Sequence, residues 1–573
     1  MLKQPSKHGS GTLLPAMSLQ FLASEAALAW LQQPPPEAHG PQPDEARPTP
    51  EPSDRRARLL LAGADEPLSE DEDEEGDESG EQHGTAGGSG GRMPEDDLPS
   101  TRIVREILTN ASEDLRATLG QHIAKRARPL RVATVCSGSD VCMFTMRDVD
   151  AVLREVYGKG MAVEHVFACE SVEFKRKFLT EVHRPAKMFV DVTRLDGSFA
   201  FNSLSEQMKE IPAFDVLVAG WSCKDISNQN VTRQVAREAG QVLARGCGQS
   251  GSTYGGVISM VARHKPEAAL MENVTGVMRV DEGRAMDDGS ISPGNKTIIE
   301  KDFKRLGYAI SFKVMDASDW GYPQSRRRVY MLAVRHETED ATDKDHRMVV
   351  DFIDSVYNQL GTPGMVKIDE FLLTDAQVNE WQQFKLSRVA VATSCTWAAA
   401  HQKAFSDKGL AWPPSSQVLA KYTVRGCTRR EAEIGYLLES GLEVADDDEL
   451  DEISADLNMS CSRVSTMNGR IVCLLPGATI WLFRRGRRLL GEEALHLQGC
   501  FVPDRLILKQ NFTNSQLRDL GGNAFNASSL LLLLRGFLNV WEARGLSWMQ
   551  MSCNAALLCI SEGSWIRLGG ADA

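Results

Sequence analysis

The stretch Val216-Leu217-Val218-Ala219-Gly220-Trp221-Ser222-Cys223-Lys224-Asp225-Ile226-Ser227 sets a cysteine just after a short apolar run. A buried thiol is inert, whereas a thiolate beside positive charge or a helix N-terminus is a strong nucleophile. Lys224 and the backbone amides after it are the groups that could activate Cys223. Further on, Ala268 to Met271 forms another apolar run that ends in Glu272-Asn273-Val274. An acid at that place can protonate or hydrogen-bond a ring nitrogen of a bound base. Gln324-Ser325-Arg326-Arg327-Arg328 precedes a third run, and its arginines suit phosphate or a base carbonyl. Each feature alone has an ordinary alternative: a structural cysteine, a carboxylate capping a turn, a solvated charge cluster.

A second set of residues suits a nucleoside cofactor. Arg131 to Val135 runs into Cys136-Ser137-Gly138-Ser139-Asp140, where Gly138 would let the backbone approach a ligand. Glu170 ends the next apolar run and is placed to hydrogen-bond ribose hydroxyls, as acids do in dinucleotide folds. Asp191, one run further on and followed by Val192, could accept from an adenine amino group. A glycine at a strand end is also a plain turn residue, and CSGSD is not a GxGxxG loop.

The elements that must position these residues read as alternating strands and helices. Strands are expected at 131–135, 163–168, 188–190, 214–219, 268–271, 308–314 and 328–334, with a helix from about 141 to Tyr157. Polar residues follow the strand ends, which indicates an open, parallel α/β sheet with its ligand site outside the carboxyl ends of the strands. The alternation stops after His336. Residues 336–480 read as a second, irregular region with tryptophans, arginines and an acidic run from Asp446 to Glu452. Order returns near Leu489 and ends in an apolar helix, Ala527 to Leu534.

Residues 1–99 are rich in Pro, Gly, Ser, Asp and Glu and are expected to form a disordered acidic tail. Between Asp65 and Asp97, fourteen carboxylates and one arginine carry −13 of the formal net charge of −14. The remaining chain is nearly neutral and can present a basic groove. The apolar stretch Leu13 to Leu31 contains Gln20 and Glu25 and fits a secretory signal poorly. No run is long and apolar enough for a membrane span, so no membrane partner is expected. Twelve cysteines without a CxxC pair suggest neither a zinc site nor a disulfide framework, and no metal is expected. Residues 100–127 read as a helical segment that Ser100 or Thr101 would cap, with Ile103, Ile107, Leu115 and Leu119 on one face.

The order of these motifs resembles the cytosine-5 DNA methyltransferase family. The series runs Gly138, Glu170, Asp191, Cys223, Glu272-Asn273-Val274 and Gln324-x-Arg326-x-Arg328. It resumes in Leu497-Gln498-Gly499 and Gly522-Asn523-Ala524. The resemblance implies a Rossmann-like, mostly parallel sheet of the S-adenosylmethionine-dependent methyltransferase type, with a smaller irregular target-recognition domain. It divides the chain into a catalytic domain at 128–335, a recognition domain at 336–480, a return to the catalytic domain at 481–545 and a C-terminal tail at 546–573. It makes Cys223 the nucleophile that adds to carbon 6 of a flipped cytosine, Glu272 the partner of ring N3, and Arg326 and Arg328 the holders of the base carbonyl and of Glu272. Ser137, Gly138, Glu170, Asp191, Val192 and Asn523 are assigned to S-adenosyl-L-methionine. Asn273 and Gln324 are assigned to the substrate pocket, and Arg425, Arg429 and Arg430 to DNA phosphates or guanine edges. Double-stranded DNA is the implied partner and the nucleus the implied compartment; nothing suggests a partner for the acidic tail.

The sequence departs from the family in two places. The first motif usually reads FAGxGG, and here the aromatic residue and the second glycine are replaced in Cys136-Ser137-Gly138-Ser139-Asp140. The nucleophile motif usually reads PCQ, and here it is Ser222-Cys223-Lys224. Two other readings stay open. One is methylation of transfer RNA, whose family branch usually has a PPC loop and a small recognition region. The other is a catalytically silent DNA-binding paralogue, which the altered first motif favours and the retained Cys223, Glu272 and Arg326 oppose.

Overall fold

The computed structural model describes residues 98–111, 113, 128–227, 242–246, 248–278, 294–336, 341–359, 362–383, 397–442 and 452–531. The acidic tail, Leu115, Leu119, Asp446 to Asp451, the far end of the helix begun at Ala527 and the C-terminal tail lie outside them. The chain divides into two units, Met1–Glu81 and Gln82–Ala573. The architecture below is that of the second.

The first half runs α1 (Pro99–Thr109), β1 (Leu130–Val135), α2 (Val141–Tyr157), β2 (Val163–Cys169), α3 (Glu173–Val182), β3 (Met188–Phe189), β4 (Phe199–Asn202), β5 (Gln207–Glu210) and β6 (Val216–Ala219). It continues with α4 (Val242–Arg245), α5 (Gly248–His264), β7 (Ala268–Asn273), α6 (Asn295–Arg305), β8 (Tyr308–Asp316) and β9 (Arg327–Arg335). All nine strands form one sheet in the order β5-β4-β3-β2-β1-β6-β7-β9-β8. The pairs from β3 through β2, β1 and β6 to β7 are parallel. Those of β7 with β9 and β8 with β9 are antiparallel, as are β3 with β4 and β4 with β5. The expected parallel sheet is therefore its five central strands. The β4–β5 hairpin adds two short strands, FAFN and QMKE, that the sequence reading did not include.

Central strands are mostly apolar because both faces are covered. Val132, Val216, Val218, Ala268 and Leu270 pack into one core with α1, α2 and residues beyond 336. Their neighbours Ala133, Leu217, Ala219, Ala269 and Met271 pack into a second core with α5 and α6. This alternation is the period of two that a strand imposes. The helix α1 begins one residue earlier than its expected cap: Leu98 is the N-cap, and Ser100 and Thr101 are buried in the first turn. β1 borders β2 on one side and β6 on the other, so the chain reverses direction across the sheet there. That is where doubly wound sheets open a crevice at their strand ends.

The second half runs α7 (Asp343–Gln359), α8 (Asp375–Gln383), α9 (Ala398–Asp407), α10 (Ser416–Thr423), α11 (Arg429–Glu439), β10 (Ile453–Asp456), β11 (Met467–Asn468), β12 (Ile480–Leu482) and β13 (Arg487–Arg488). It ends with α12 (Gly491–His496), α13 (Arg505–Asn511) and α14 (Asn514–Asn523). The region read as irregular is thus largely helical. Its first part, with Ile353, Val356, Phe371 and Trp381, packs into the first core, and Ser311 on β8 donates to Asp354 on α7 at 2.9 Å. The separate small core is narrower. It holds Leu419, Tyr422, Ile434, Ala455 and Trp481 between α10, α11 and an antiparallel sheet ordered β11-β10-β12-β13.

Two glutamates that the sequence reading left without a role join these parts. Glu493 on α12 accepts from Arg487 and from the backbone amides of Leu373 and Leu490. Glu492 accepts from Trp381 Nε1 at 2.6 Å and pairs with Arg505. Glu452, the last residue of the acidic run, is buried. It accepts from the amides of Ile453 and Arg484 and faces Arg485 at 3.6 Å.

Candidate active site

Two loops meet at the crevice between β1 and β6. The loop after β6 carries Cys223, and its backbone is held from three directions. The amide of Ser222 donates to Thr253 Oγ1 at 3.1 Å, and Asp225 exchanges bonds with Ser250, both partners on α5. Asn273 Nδ2 donates to the Trp221 carbonyl at 3.0 Å. Asn273, assigned to the substrate pocket, therefore acts here as a brace for the nucleophile loop. The proline of the usual motif is absent, and these bonds supply the restraint it would give. Gly220 permits the approach of a late segment: a Cβ there would lie 2.5 Å from the Phe525 ring and 3.0 Å from the Cys136 carbonyl oxygen.

Cys223 is half-buried. Burial pushes its thiol above the usual range, the Glu272 charge adds to that, and Arg328 and Arg326 pull it back. The two arginines that pull it back are on β9 and its preceding loop. Glu272 is buried on β7. Arg328 Nε stands 3.3 Å from Glu272 Oε1, which accepts no hydrogen bond from any described residue. Burial raises the Glu272 carboxyl above its usual range, against the pull of the two arginines. A buried carboxyl whose hold on its proton is raised, with an oxygen that accepts no hydrogen bond from a described residue, is suited to meet a ring nitrogen and an exocyclic amine. Arg328 also reaches Cys473 Sγ at 3.7 Å, so a second thiol borders the site.

Arg326 and Gln324 do other work than expected. Arg326 is fully enclosed, and its two Nη atoms donate to the main-chain carbonyls of Leu474 at 2.8 Å, Gly522 at 3.1 Å and Ala524 at 2.5 Å. With those atoms committed, it clamps the late segment instead of holding a base. Gln324 is fully buried, accepts from Gln498 Nε2 at 3.0 Å and bridges to Ile471. It ties the QxRxR and LQG motifs together. Neither partner was visible in the sequence, since all lie more than 140 residues away.

On the cofactor side, Gly138 adopts φ +66°, and a Cβ there would lie 3.5 Å from the Asn523 carbonyl oxygen. Ser137 donates to Asp140. Glu170 accepts through one oxygen from the amide of Val172 at 3.0 Å. Asp191 is exposed and accepts from the Thr193 amide and hydroxyl through Oδ1. Val192 is buried in the second core, with its carbonyl against Gly256 of α5, so its side chain belongs to the packing. Asn523 is exposed and donates to Asp519, which pairs with Lys175 at 2.8 Å. Lys175 was not singled out from the sequence; its link to the late segment appears only on folding. The residues fit an adenosyl ligand: a glycine backbone cradle facing Asn523, with carboxylates at two successive strand ends.

The three recognition arginines separate. Arg425 is exposed, but Arg429 pairs with the buried Glu433 at 3.1 Å, and Arg430 donates to the carbonyls of Asn458 and Met459. Arg430 braces a turn and Arg429 pairs along its helix while staying exposed, and Arg425 is exposed as well.

A mixed α/β sheet thus carries a cysteine loop and a nucleoside-type loop at its switch point. Residues 153–526 match the family model for C-5 cytosine-specific DNA methylase, and the chain belongs to that family. The match begins after the Cys136–Asp140 loop. Similar curated proteins include the DNA (cytosine-5-)-methyltransferase DMT5 of Cryptococcus neoformans, 26% identical over 468 residues that cover 76% of this chain and 18% of the relative. DMT5 of Verticillium dahliae is 26% identical over 454 residues, covering 69% of this chain and 19% of that protein. The chain thus spans about a fifth of the length of these relatives. Among solved structures, the S. pombe Dnmt2 methyltransferase matches with a TM-score of 0.36 and 12% identity, covering 74% of this chain and 100% of that one.

Proposed function

We propose that this protein transfers a methyl group from S-adenosyl-L-methionine to carbon 5 of cytosine in double-stranded DNA. The observation that carries the reading is the grouping of Cys223, Glu272 and Arg328 at the carboxyl ends of β6 and β7 and the start of β9. The two DMT5 relatives, which are DNA (cytosine-5-)-methyltransferases, support DNA as the substrate. The nucleus is the compartment this reading assigns.

Carbon 5 of cytosine is a poor nucleophile. Addition of the Cys223 sulfur to carbon 6 gives the ring an enamine at carbons 4 and 5, and negative charge develops toward N3. Glu272 meets N3 and the exocyclic amine, and a proton shared between its carboxyl and N3 stabilises the adduct as it forms. Arg328 orients Glu272. Ser137, Gly138, Glu170, Asp191 and Asn523 would hold the cofactor, which supplies the electrophilic methyl group when bound. Loss of the carbon 5 proton to a base and expulsion of the Cys223 thiolate restore the aromatic ring. The target base must leave the duplex to reach Cys223, at a cost of a few kcal/mol.

Bisulfite sequencing of duplex DNA treated with the purified full chain and S-adenosylmethionine tests the reading. Protected cytosines that depend on the cofactor support it. Full conversion of every cytosine, across duplexes of varied sequence, contradicts it.

A further inference from the structure

Asp140 stands where the usual first motif has a glycine, and its backbone is left-handed, with φ 51° and ψ 51°. A Cβ disfavours this conformation unless the side chain bonds locally, as aspartate can. Asp140 is completely buried and does bond locally. Thr134 Oγ1, on β1, donates to its Oδ2 at 2.7 Å, and Ser137 Oγ donates to its Oδ1. His165 Nε2, on β2, lies 3.0 Å from Thr134 Oγ1 and 3.5 Å from Asp140 Oδ2. His183 Nε2 lies 2.9 Å from the Ser139 carbonyl, and Ser139 Oγ lies 3.6 Å from Cys500 Sγ. Each polar group of the loop interior is thus tied to β1, β2, the end of α3 or the late LQG segment. Cys136, with φ 52°, and Gly138 are left-handed as well. The loop therefore turns sharply around one buried carboxylate.

We propose that Asp140 is the positioning residue of the cofactor loop: its carboxylate, gripped by Thr134 and Ser137, holds the left-handed turn that presents the Gly138 backbone toward Asn523. The side chain substitutes for the missing glycine by bonding where glycine would simply be unhindered. The loop altered in this chain is thus a cofactor loop built a second way, and the silent-paralogue reading loses its support. This rests on the cofactor reading given above.

The test is calorimetric titration of the full chain with S-adenosylhomocysteine, alongside thermal melting and the KM for S-adenosylmethionine. Asp140→Ala should weaken binding about tenfold or more, since it removes both the local bonds and the tolerance for φ 51°. Asp140→Asn, which keeps an acceptor and tolerates the turn, should bind within about threefold of the parent. Asp140→Gly should fall between them, and in the alanine variant the rise in cofactor KM should exceed the fall in kcat. Alanine binding like the parent, or asparagine binding no better than alanine, would overturn the proposal. Should the alanine variant fail to fold, Thr134→Val decides: weaker binding supports the grip on Asp140, and unchanged affinity overturns it. A parent chain that takes up no S-adenosylhomocysteine would instead refute the cofactor reading, and this inference with it.

Discussion

Arg328 Nε lies 3.3 Å from Glu272 Oε1, and both charges bear on the Cys223 thiol in opposite senses. Glu272 raises the thiol and Arg328 lowers it. Glu272→Gln should therefore shift Cys223 ionisation to lower pH, and Arg328→Met should shift it to higher pH. Alkylation of Cys223 by iodoacetamide, followed by peptide mass spectrometry from about pH 7 to 9.5, reads both shifts, because only the thiolate reacts. Equal alkylation profiles in the parent and both variants would mean that the pair does not face the sulfur.

The same carboxyl should cost the fold stability. Its folded pKa is raised, so its contribution is fully present below the unfolded value of about 4.3 and is lost as pH rises through the folded value. Glu272→Gln removes the penalty. The Tm of the variant minus that of the parent should grow more positive from about pH 5 to 8, while methylation falls by about 100-fold or more. A difference that shrinks with rising pH would show that Arg328 outweighs burial.

The contrast between Glu272 and Arg326 shows what the sequence could and could not disclose. Five strands ending in Val135, Cys169, Phe189, Ala219 and Asn273 were legible because parallel strands buried on both faces read as apolar runs. Cys223, Glu272 and Arg328 were legible because each sits at or just beyond a strand end. The roles of Arg326 and Gln324 were not, since their partners Leu474, Ala524 and Gln498 come from the far end of the chain. Nor were α8 to α11: they are short, and tertiary packing around Phe371 and Trp481 holds them rather than a long amphipathic pattern.

Arg326 should behave as a structural clamp. Arg326→Met leaves the carbonyls of Leu474, Gly522 and Ala524 without their charged donor, and should cost about 3 kcal/mol or more of stability, read by denaturant unfolding. Arg328→Met should cost less stability and more activity. A stable Arg326→Met chain that has lost only methylation would return Arg326 to the base.

For recognition, Arg425 and Arg430 should part company. Arg425→Ala should flatten the salt dependence of DNA binding by about one unit of log–log slope, as for one lost phosphate contact, without lowering Tm. Arg430→Ala should lower Tm through the turn at Asn458 and Met459. An unchanged slope in Arg425→Ala would move the reading surface away from this arginine.

The most direct measurement is the covalent bond itself. A duplex carrying 5-fluorocytosine lacks the carbon 5 proton, so the Cys223 adduct cannot be released after methyl transfer. Incubated with the full chain and S-adenosylmethionine, it should form a denaturation-resistant complex whose peptide mass places the nucleotide on Cys223 Sγ. Cys223→Ser should form none while still binding cofactor. Methylation of ordinary cytosine by a chain that forms no adduct, or an adduct on Cys473 in place of Cys223, would contradict the assignment of the nucleophile.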